Sequence, residues 1–571
     1  MQLKVPNFDY VEHPVRIPPL QAGYEQTPAR VLIAGGGPVG LAMALALAKQ
    51  GIRSVVIEMD RTVCVGSRAI CLSRRSLEIL DRLGVLDAFR DKGLPWTSGR
   101  SFYHRELVLT FSMMHDADQR LAPMTNLQQY YIEAFLLDEA LRHDDLIEIR
   151  WGTRLDDLRP DAAGVDVQLT AGDTSYRTRP DYVIACDGAR SNVRQALGLR
   201  MNGTAYEGRY VIIDIELDID LPTERLAWFD PPSNPGRTML MHKQPDNVWR
   251  LDYQLHADED ADEMIRPERV TPVAQAHLDM MGIDKPWRLI WTSSYKASAL
   301  SLDSYRHGRV LFAGDAAHLV PIFGVRGLNS GFDDVFNLGW KLAAVMEGRA
   351  GDALLDSYSA ERRHAWEINV HNAMKSTAFM APPSDGYKIM REAVLSLAAK
   401  HPAMSTLIDP RQSSAIHYEA SPLNTLTPDE STFRAGPAPG SPLPECPLIA
   451  GGETRHITEL LPEGFVLLAY TDSGTLPPGT MDKLNAAATD AGPLSLLLVA
   501  PEACLRLPDI KQHNAIDAHD RFCTLFDAAP SAMYLIRPDG HVCARWRKLR
   551  NGDLAAAMRA ALAIRHMGDV Q

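Results

Sequence analysis

Residues 30–60, RVLIAGGGPVGLAMALALAKQGIRSVVIEMD, decide the fold. An apolar run of strand length stops at Gly35, Gly37 and Gly40. An alanine-rich helical stretch follows to Gly51, and a second apolar run closes on Glu58. Spaced this way, the glycines permit a tight turn, the approach of a pyrophosphate to bare backbone and close packing of helix on strand, with Pro38 and Val39 inside the turn. Glu58 stands where an acid takes the hydroxyls of a ribose. A glycine triplet alone is a weak signal. In strand, turn, helix, strand order with the acid in place, it predicts a Rossmann-type dinucleotide-binding unit.

Two further runs have the same character. Residues 309–342, RVLFAGDAAHLVPIFGVRGLNSGFDDVFNLGWKL, read as a buried parallel strand that stops at Gly314 and Asp315, delivering a carboxylate to the carboxyl edge of a sheet. From Leu328 the apolar residues Phe332, Val335, Leu338, Leu342 and Met346 follow at spacings of three and four, the pattern of a helix with one buried stripe. Its first turn, Gly327, Leu328 and Asn329, offers free N–H groups and the positive end of the helix dipole to an anion, or to a ring that becomes anionic during turnover. Residues 182–194, YVIACDGARSNVR, supply a third strand ending in a polar turn.

In this order and spacing, GGGPVG, CDGARSNVR, AGDAAH and GLNSG resemble the pattern of the class A flavin-dependent aromatic hydroxylases, and the resemblance covers nearly the whole chain. It implies FAD as cofactor, NADH or NADPH as transient co-substrate, and O2. Gly35, Gly37, Pro38, Val39, Gly40 and Glu58 are then expected to hold the ADP part. Gly314 and Asp315 are expected at the ribityl chain, and Gly327, Leu328 and Asn329 at the pyrimidine ring. Arg68, in GSRAICLSRRSLEIL, and Gln129, in NLQQYYIE, match cofactor contacts, with Gln128 leaving the register of the second open. Asp187 is a further cofactor contact, and Asp187 with Arg190 are candidates for the nicotinamide. The loop Pro321-Ile322-Phe323-Gly324-Val325 departs from the family, which has two prolines and a Gly-Gly or Gly-Ala pair. The backbone carbonyl aimed at the substrate hydroxyl falls on Ile322, while substrate identity does not transfer.

The implied activity is insertion of one oxygen atom into a phenolic ring by a single-component monooxygenase, in resemblance to the hydroxylases of hydroxyphenylpropionate and other simple phenolic acids. The alternatives are an FAD enzyme of the same fold acting on a polycyclic or non-phenolic substrate, as an epoxidase or reductase, and a non-enzymatic FAD-binding scaffold.

At 571 residues and 46% hydrophobic, the chain can bury several cores. A formal net charge of −13 disfavours nucleic acid and anionic membrane as partners, since both need a basic surface. The seven cysteines include no CxxC pair and no metal-ligand cluster, and scattered thiols point to a reducing cytoplasm. Residues 1–27 lack the apolar core of a signal peptide, and no run of ~18 apolar residues offers a membrane span.

The expected fold class is α/β with α+β. Residues 1–27 form an arm, 28–200 and 301–405 the Rossmann-type FAD domain, 201–300 an antiparallel-sheet substrate domain, 406–450 a linker and 451–571 a thioredoxin-like C-terminal domain. In the substrate sheet Ile213, Ile215, Leu217 and Ile219 alternate with acids. Thr238 to His242 and Val248 to Leu255 flank KQPDN as a hairpin. Pairing of Lys243 with Val248 puts His242, Trp249, Leu251 and Tyr253 on one face and Met241, Arg250 and Asp252 on the other, and a one-residue slip reverses the grouping. His242 or Tyr253 is then a candidate acceptor of the phenolic proton, and Arg250 a candidate partner for a substrate carboxylate. A satisfied core or a surface ion pair accounts for the same residues. The C-terminal region lacks the thiolate pair of thioredoxin chemistry, so its expected role is structural or in a homodimer.

Overall fold

A computed structural model describes residues 4–116, 118–256, 258–321, 323–398, 400–408, 414–502 and 512–564. The chain divides into two compact units. Met1–Met114, Ala122–Val335 and Trp366–Ser414 form the first, and His115–Leu121, Phe336–Ala365 and Ala415–Gln571 the second. Among the described residues no helix is long and apolar enough to cross a membrane.

The first unit contains a six-stranded sheet in the order Ile147–Arg150, Ser54–Ile57, Val31–Ala34, Tyr182–Ala185, Val310–Phe312 and Arg306–His307. All but the last pair run parallel. The inner strands Val31–Ala34, Ser54–Ile57, Tyr182–Ala185 and Val310–Phe312 are buried throughout, as expected of parallel strands covered on both faces. Ala34 lies opposite Ile57 and Ala185, and Ala185 opposite Phe312, so three polar turns leave one edge side by side. On helix Arg74–Leu83, Ser73 Oγ accepts the Ser76 N–H and Gly84 ends the helix at φ +86°.

An eight-stranded sheet follows the order His318–Leu319, Trp287–Ser301, Asn202–Leu217, Val248–Gln254, Thr238–Gln244, Arg225–Phe229, Ser98–Tyr103 and Glu106–Ser112. Two of its strands come from 98–112, outside the 201–300 segment read as the sheet domain. Gln244, not Lys243, pairs with Val248. The hairpin loop is therefore three residues, with Asp246 and Asn247 at φ +64° and +55°, a conformation that short polar side chains tolerate. The slip places His242 on one face with Arg250 and Asp252, and Tyr253 on the other, correcting the grouping expected from the longer loop. Strand Trp287–Ser301 also departs from simple alternation. A register shift opposite Asp214 and Ile215 turns Trp287 and Leu289 to the apolar face and Trp291 and Tyr295 to the polar one. Val211, Ile213, Ile215, Met239, Met241, Trp249 and Tyr253 pack with Val270, Ala274 and Leu278 of helix Pro267–Met280 in one apolar core.

The second unit carries a seven-stranded sheet in the order Glu453–His456, Pro447–Ala450, Gln512–Ile516, Leu494–Ala500, Phe465–Thr471, Ser531–Ile536 and Val542–Trp546. Pro447–Ala450 lies within the stretch read as linker. A fully buried charge network stands beside this sheet. Glu361 accepts from Arg537 at 2.6 and 3.0 Å, from Lys341 at 2.7 Å and from Asn337 at 2.7 Å. Arg362 is buried and donates to the Tyr418 hydroxyl at 2.7 Å.

Candidate functional site

At the carboxyl edge of the parallel sheet, Gly35 N–H donates to Ile57 O (2.8 Å), Cys186 N–H to Ala34 O (2.7 Å) and Ala313 N–H to Ala185 O (2.9 Å). Gly35, at φ +106°, lies so close to Cys186 that a Cβ would run into its carbonyl, and a Cβ on Gly40 would run into the Gly35 carbonyl. Gly37 differs. A Cβ there would find only Glu133 Oε1 at 4.0 Å, so open space stands over the first turn of helix Pro38–Lys49, whose N-terminus has no side-chain cap. Pro38 sits in that first turn, and Val39 is spent on packing, its Cγ2 lying where a Cβ on Gly331 would go. Glu58 is fixed by the N–H groups of Gly36 (2.7 Å) and Asp60 (2.9 Å), while burial raises its carboxyl above the ordinary range.

The second wall is the Gly314–Asp315 turn. Asp334 Oδ2 accepts both Gly314 N–H (2.8 Å) and His318 Nε2 (2.7 Å), locking the turn from beneath. Asp315 opens to solvent, yet the protein crowded around it raises its carboxyl, with His318 and Arg68 acting the other way. An acid that is open and crowded at once lines a concave surface.

The third wall is the start of helix Gly327–Met346. Ser330 N–H reaches Arg326 O at 2.9 Å, leaving the N–H groups of Gly327, Leu328 and Asn329 ahead of it, and a Cβ on Gly327 would meet nothing within 4 Å. The Asn329 side chain is buried and spent on structure. Its Oδ1 accepts Ser73 N–H (2.8 Å) and Ser76 Oγ (2.6 Å), and its Nδ2 donates to Cys71 O (3.1 Å) and Val325 O. Gln129 Oε1 accepts the Arg68 and Ala69 N–H groups at 3.3 and 3.1 Å, whereas Gln128 turns to Pro245 O. Arg68 itself is exposed. Asp187 Oδ2 accepts Val193 N–H (3.0 Å), its Oδ1 is buried without a partner, and Arg190 is exposed. Ile322 lies outside the described residues.

Sequence reasoning missed Glu133. Its carboxyl, held by Cys64 N–H (2.6 Å) and Gln129 Nε2 (2.9 Å) beside Gly37, is pushed up to about 7 by burial. The available signal was an acid four residues after Gln129 that interrupts the apolar run 130–137.

The polar face of the eight-stranded sheet holds a second group of side chains. Arg250 forms a bidentate pair with Asp214 (2.8 and 2.7 Å) and donates to Arg68 O (2.8 Å) and Ser67 O. It is fully used, so the expectation that it takes a substrate carboxylate is corrected. Tyr253 faces the apolar core, its hydroxyl 3.4 Å from Met264 O, and leaves the set of proton acceptors. His242 stays on the polar face with Nδ1 buried and unpartnered, but burial, Arg225 and Arg250 push its imidazole down to about 3. A neutral ring of that kind accepts a hydrogen bond but holds no added proton near neutral pH. Asp252 fills the gap. Burial raises its carboxyl to about 7 against the pull of Arg250 and Arg225. The Tyr295 hydroxyl is buried without a partner, and Tyr210 stacks on Tyr295 at 5.4 Å with Phe323 edge-on to it.

These walls fit FAD. Open space over Gly37 suits a pyrophosphate at a helix N-terminus, the fixed Glu58 a ribose, Asp315 a ribityl chain, and the bare backbone at Gly327 a ring that becomes anionic. Residues 28–373 match the family described as FAD binding domain. The chain is 28% identical over 560 residues to a 3-(3-hydroxy-phenyl)propionate/3-hydroxycinnamic acid hydroxylase of Mycolicibacterium smegmatis, covering 94% of each chain. It is 29% identical over 555 residues to a tetracenomycin B2 monooxygenase-dioxygenase of Streptomyces olivaceus, covering 92% of this chain and 96% of that one. Among solved structures it is similar to aklavinone-11 hydroxylase in ternary complex with FAD and aklavinone, at TM-score 0.74 and 26% identity over 94% of this chain and 99% of that one.

Proposed function

We propose, from the premise that this chain belongs to the FAD binding domain family, that it is an NAD(P)H-consuming monooxygenase that hydroxylates a phenolic compound. The observation that carries this reading is a polar sheet face with an unpaired acid near neutrality, joined through Arg250 to the Ser67 and Arg68 carbonyls of a cofactor loop. When bound, FAD supplies the redox chemistry, taking reducing equivalents from NAD(P)H and furnishing one oxygen atom of O2 to the ring.

The chain's own residues do the rest. The helix start at Gly327 favours negative charge in front of it. Asp252 takes the phenolic proton, which makes the ring electron-rich. Arg250, Asp214, Arg225, Tyr210, Tyr295, Cys71 and His242 are the charged and titratable groups around it. Asp187 and Arg190 are the candidates for contact with the nicotinamide. The similarity to hydroxyphenylpropionate hydroxylases favours a phenolic acid, and that to aklavinone-11 hydroxylase favours a polycyclic phenol as the second reading. NADH and NADPH oxidation by the purified holoenzyme across phenols, phenolic acids and one polycyclic phenol tests this, with product masses. Stimulated oxidation with a product one oxygen heavier is expected. FAD-loaded protein that no phenol stimulates would refute it.

We assign the C-terminal region to a thioredoxin-like domain without CxxC, structural or dimer-forming in role. Strand Phe465–Thr471 pairs in parallel with Leu494–Ala500 after helix Thr480–Ala491, and antiparallel with Ser531–Ile536, which supports that reading. Sedimentation of the full chain tests the homodimer. The six described cysteines are free, which supports a reducing cytoplasmic location.

A further inference from the structure

Among the described residues, Arg225 is the one large cation of the polar sheet face that the fold does not use. Its Cα lies opposite His242, whose other neighbour in the row is Arg250, itself opposite Asp214. Arg250 is neutralised by Asp214, and His242 carries no charge. Arg225 is only 8% exposed, and among the described residues no hydrogen bond or ion pair reaches its guanidinium. Cys71 lies close to it but is a neutral thiol, pushed up to about 12 by burial, and Asp252, the acid that attracts it, does not close to an ion pair. Burial pulls its guanidinium down to about 10, so it is charged at neutral pH and desolvated without compensation. A protein keeps such a group where a ligand supplies the missing anion. Cys71 leads into the strand that Asn329 ties to the helix start, so the unpaired cation stands between the sheet face and the cofactor walls.

We propose that Arg225 binds the side-chain carboxylate of the substrate and makes the enzyme selective for phenolic acids over neutral phenols. This rests on the hydroxylase reading and assigns to Arg225 the role that the Asp214 pair denies to Arg250. A guanidinium with two free edges matches a carboxylate bidentately, and a buried charge-assisted pair of this kind contributes about 10- to 100-fold in affinity. A neutral amide of the same shape forms no ion pair and leaves the cation desolvated.

The test compares 3-(3-hydroxyphenyl)propanoate with its primary amide on the FAD-loaded full chain. Binding is read from the perturbation of the flavin spectrum and turnover from NAD(P)H oxidation. The wild type is expected to bind the acid at least about 10-fold more tightly than the amide. In Arg225→Met that preference collapses through loss of acid affinity alone, and Arg225→Lys recovers part of it. Equal affinity of the wild type for acid and amide overturns the proposal without any variant, which covers the case in which Arg225→Met does not fold. An Arg225→Met enzyme that weakens acid and amide alike, or neither, overturns it while the hydroxylase reading stands, because the wild type still turns over. If no phenol, acid or amide perturbs the wild-type flavin or its NAD(P)H oxidation, the hydroxylase reading falls and the Arg225 assignment with it.

Discussion

Replacing Asn329 by leucine keeps the size of the side chain and removes four hydrogen bonds at the point where the helix start docks on strand Cys71–Ser73. Leu72 is the residue that pairs with Thr125 in that strand's ladder, so the Cys71 carbonyl and the Ser73 N–H point the other way, to Asn329. Ser76 keeps a second partner in Ser73 Oγ at 3.3 Å. Three groups then lose their partner, namely the buried Ser73 N–H and Cys71 O and the half-buried Val325 O. At about 1–2 kcal/mol each the loss is about 3–6 kcal/mol, a large share of the stability of a single domain. Urea unfolding followed by tryptophan fluorescence and by flavin release should both shift to lower midpoints, flavin release first, because the helix start is a wall of the proposed cofactor site. Ser76→Ala, which leaves Ser73 N–H on Asn329 Oδ1, is expected to cost under about 1.5 kcal/mol. An Asn329→Leu protein within about 1 kcal/mol of wild type, with unchanged flavin release, would refute the claim that Asn329 joins these elements.

Other outcomes follow from single contacts. Glu133 has a folded-state carboxyl near 7 against 4.5 unfolded, so its stabilising contribution is complete below about pH 4.5 and is lost as pH rises towards 7. The loss amounts to about 3 kcal/mol, and in Glu133→Gln the difference between the unfolding free energies from urea titrations at about pH 4 and about pH 8 should shrink by that amount. Glu361→Gln leaves Arg537 and Lys341 with too little negative charge in a dry interior, and calorimetry should show a loss of about 3–5 kcal/mol; a neutral result would mean that water reaches the network. Tyr253→Phe should leave turnover unchanged, while Asp252→Asn should slow it about 100-fold and abolish its rise with pH through about 7. A slow Tyr253→Phe enzyme would reverse that assignment. Val325, a β-branched residue at φ +53°, stands in a strained conformation, and Val325→Gly should raise the free energy of unfolding in urea by about 1 kcal/mol.

The residues proposed to hold the cofactor could be picked out in the sequence because their requirements are local. Gly35, Gly40 and Glu58 are separated by the length of one strand-helix-strand unit, and Gly314–Asp315 and Gly327 by one loop, so backbone geometry and spacing identify them without knowledge of the rest of the chain. Those proposed for the substrate could not. Whether His242 shares a face with Asp252 or with Tyr253 turns on one residue in a hairpin loop, and period two inverts every side chain when that residue moves. Arg225 and Arg250 are alike as letters, and only the closure of Arg250 on Asp214 separates the spent cation from the free one.

By itself the sequence determined the parallel sheet, the glycine turn over Gly37, the acids at its strand ends and the helix that begins at Gly327, since each follows from the conformational limits and periodicity of a short run of residues. Only the tertiary structure decided which ionisable groups are paired and which are not. Pairing and desolvation are set by side chains brought together from residues 71, 214, 225, 242 and 252, and no local pattern encodes the distance between them.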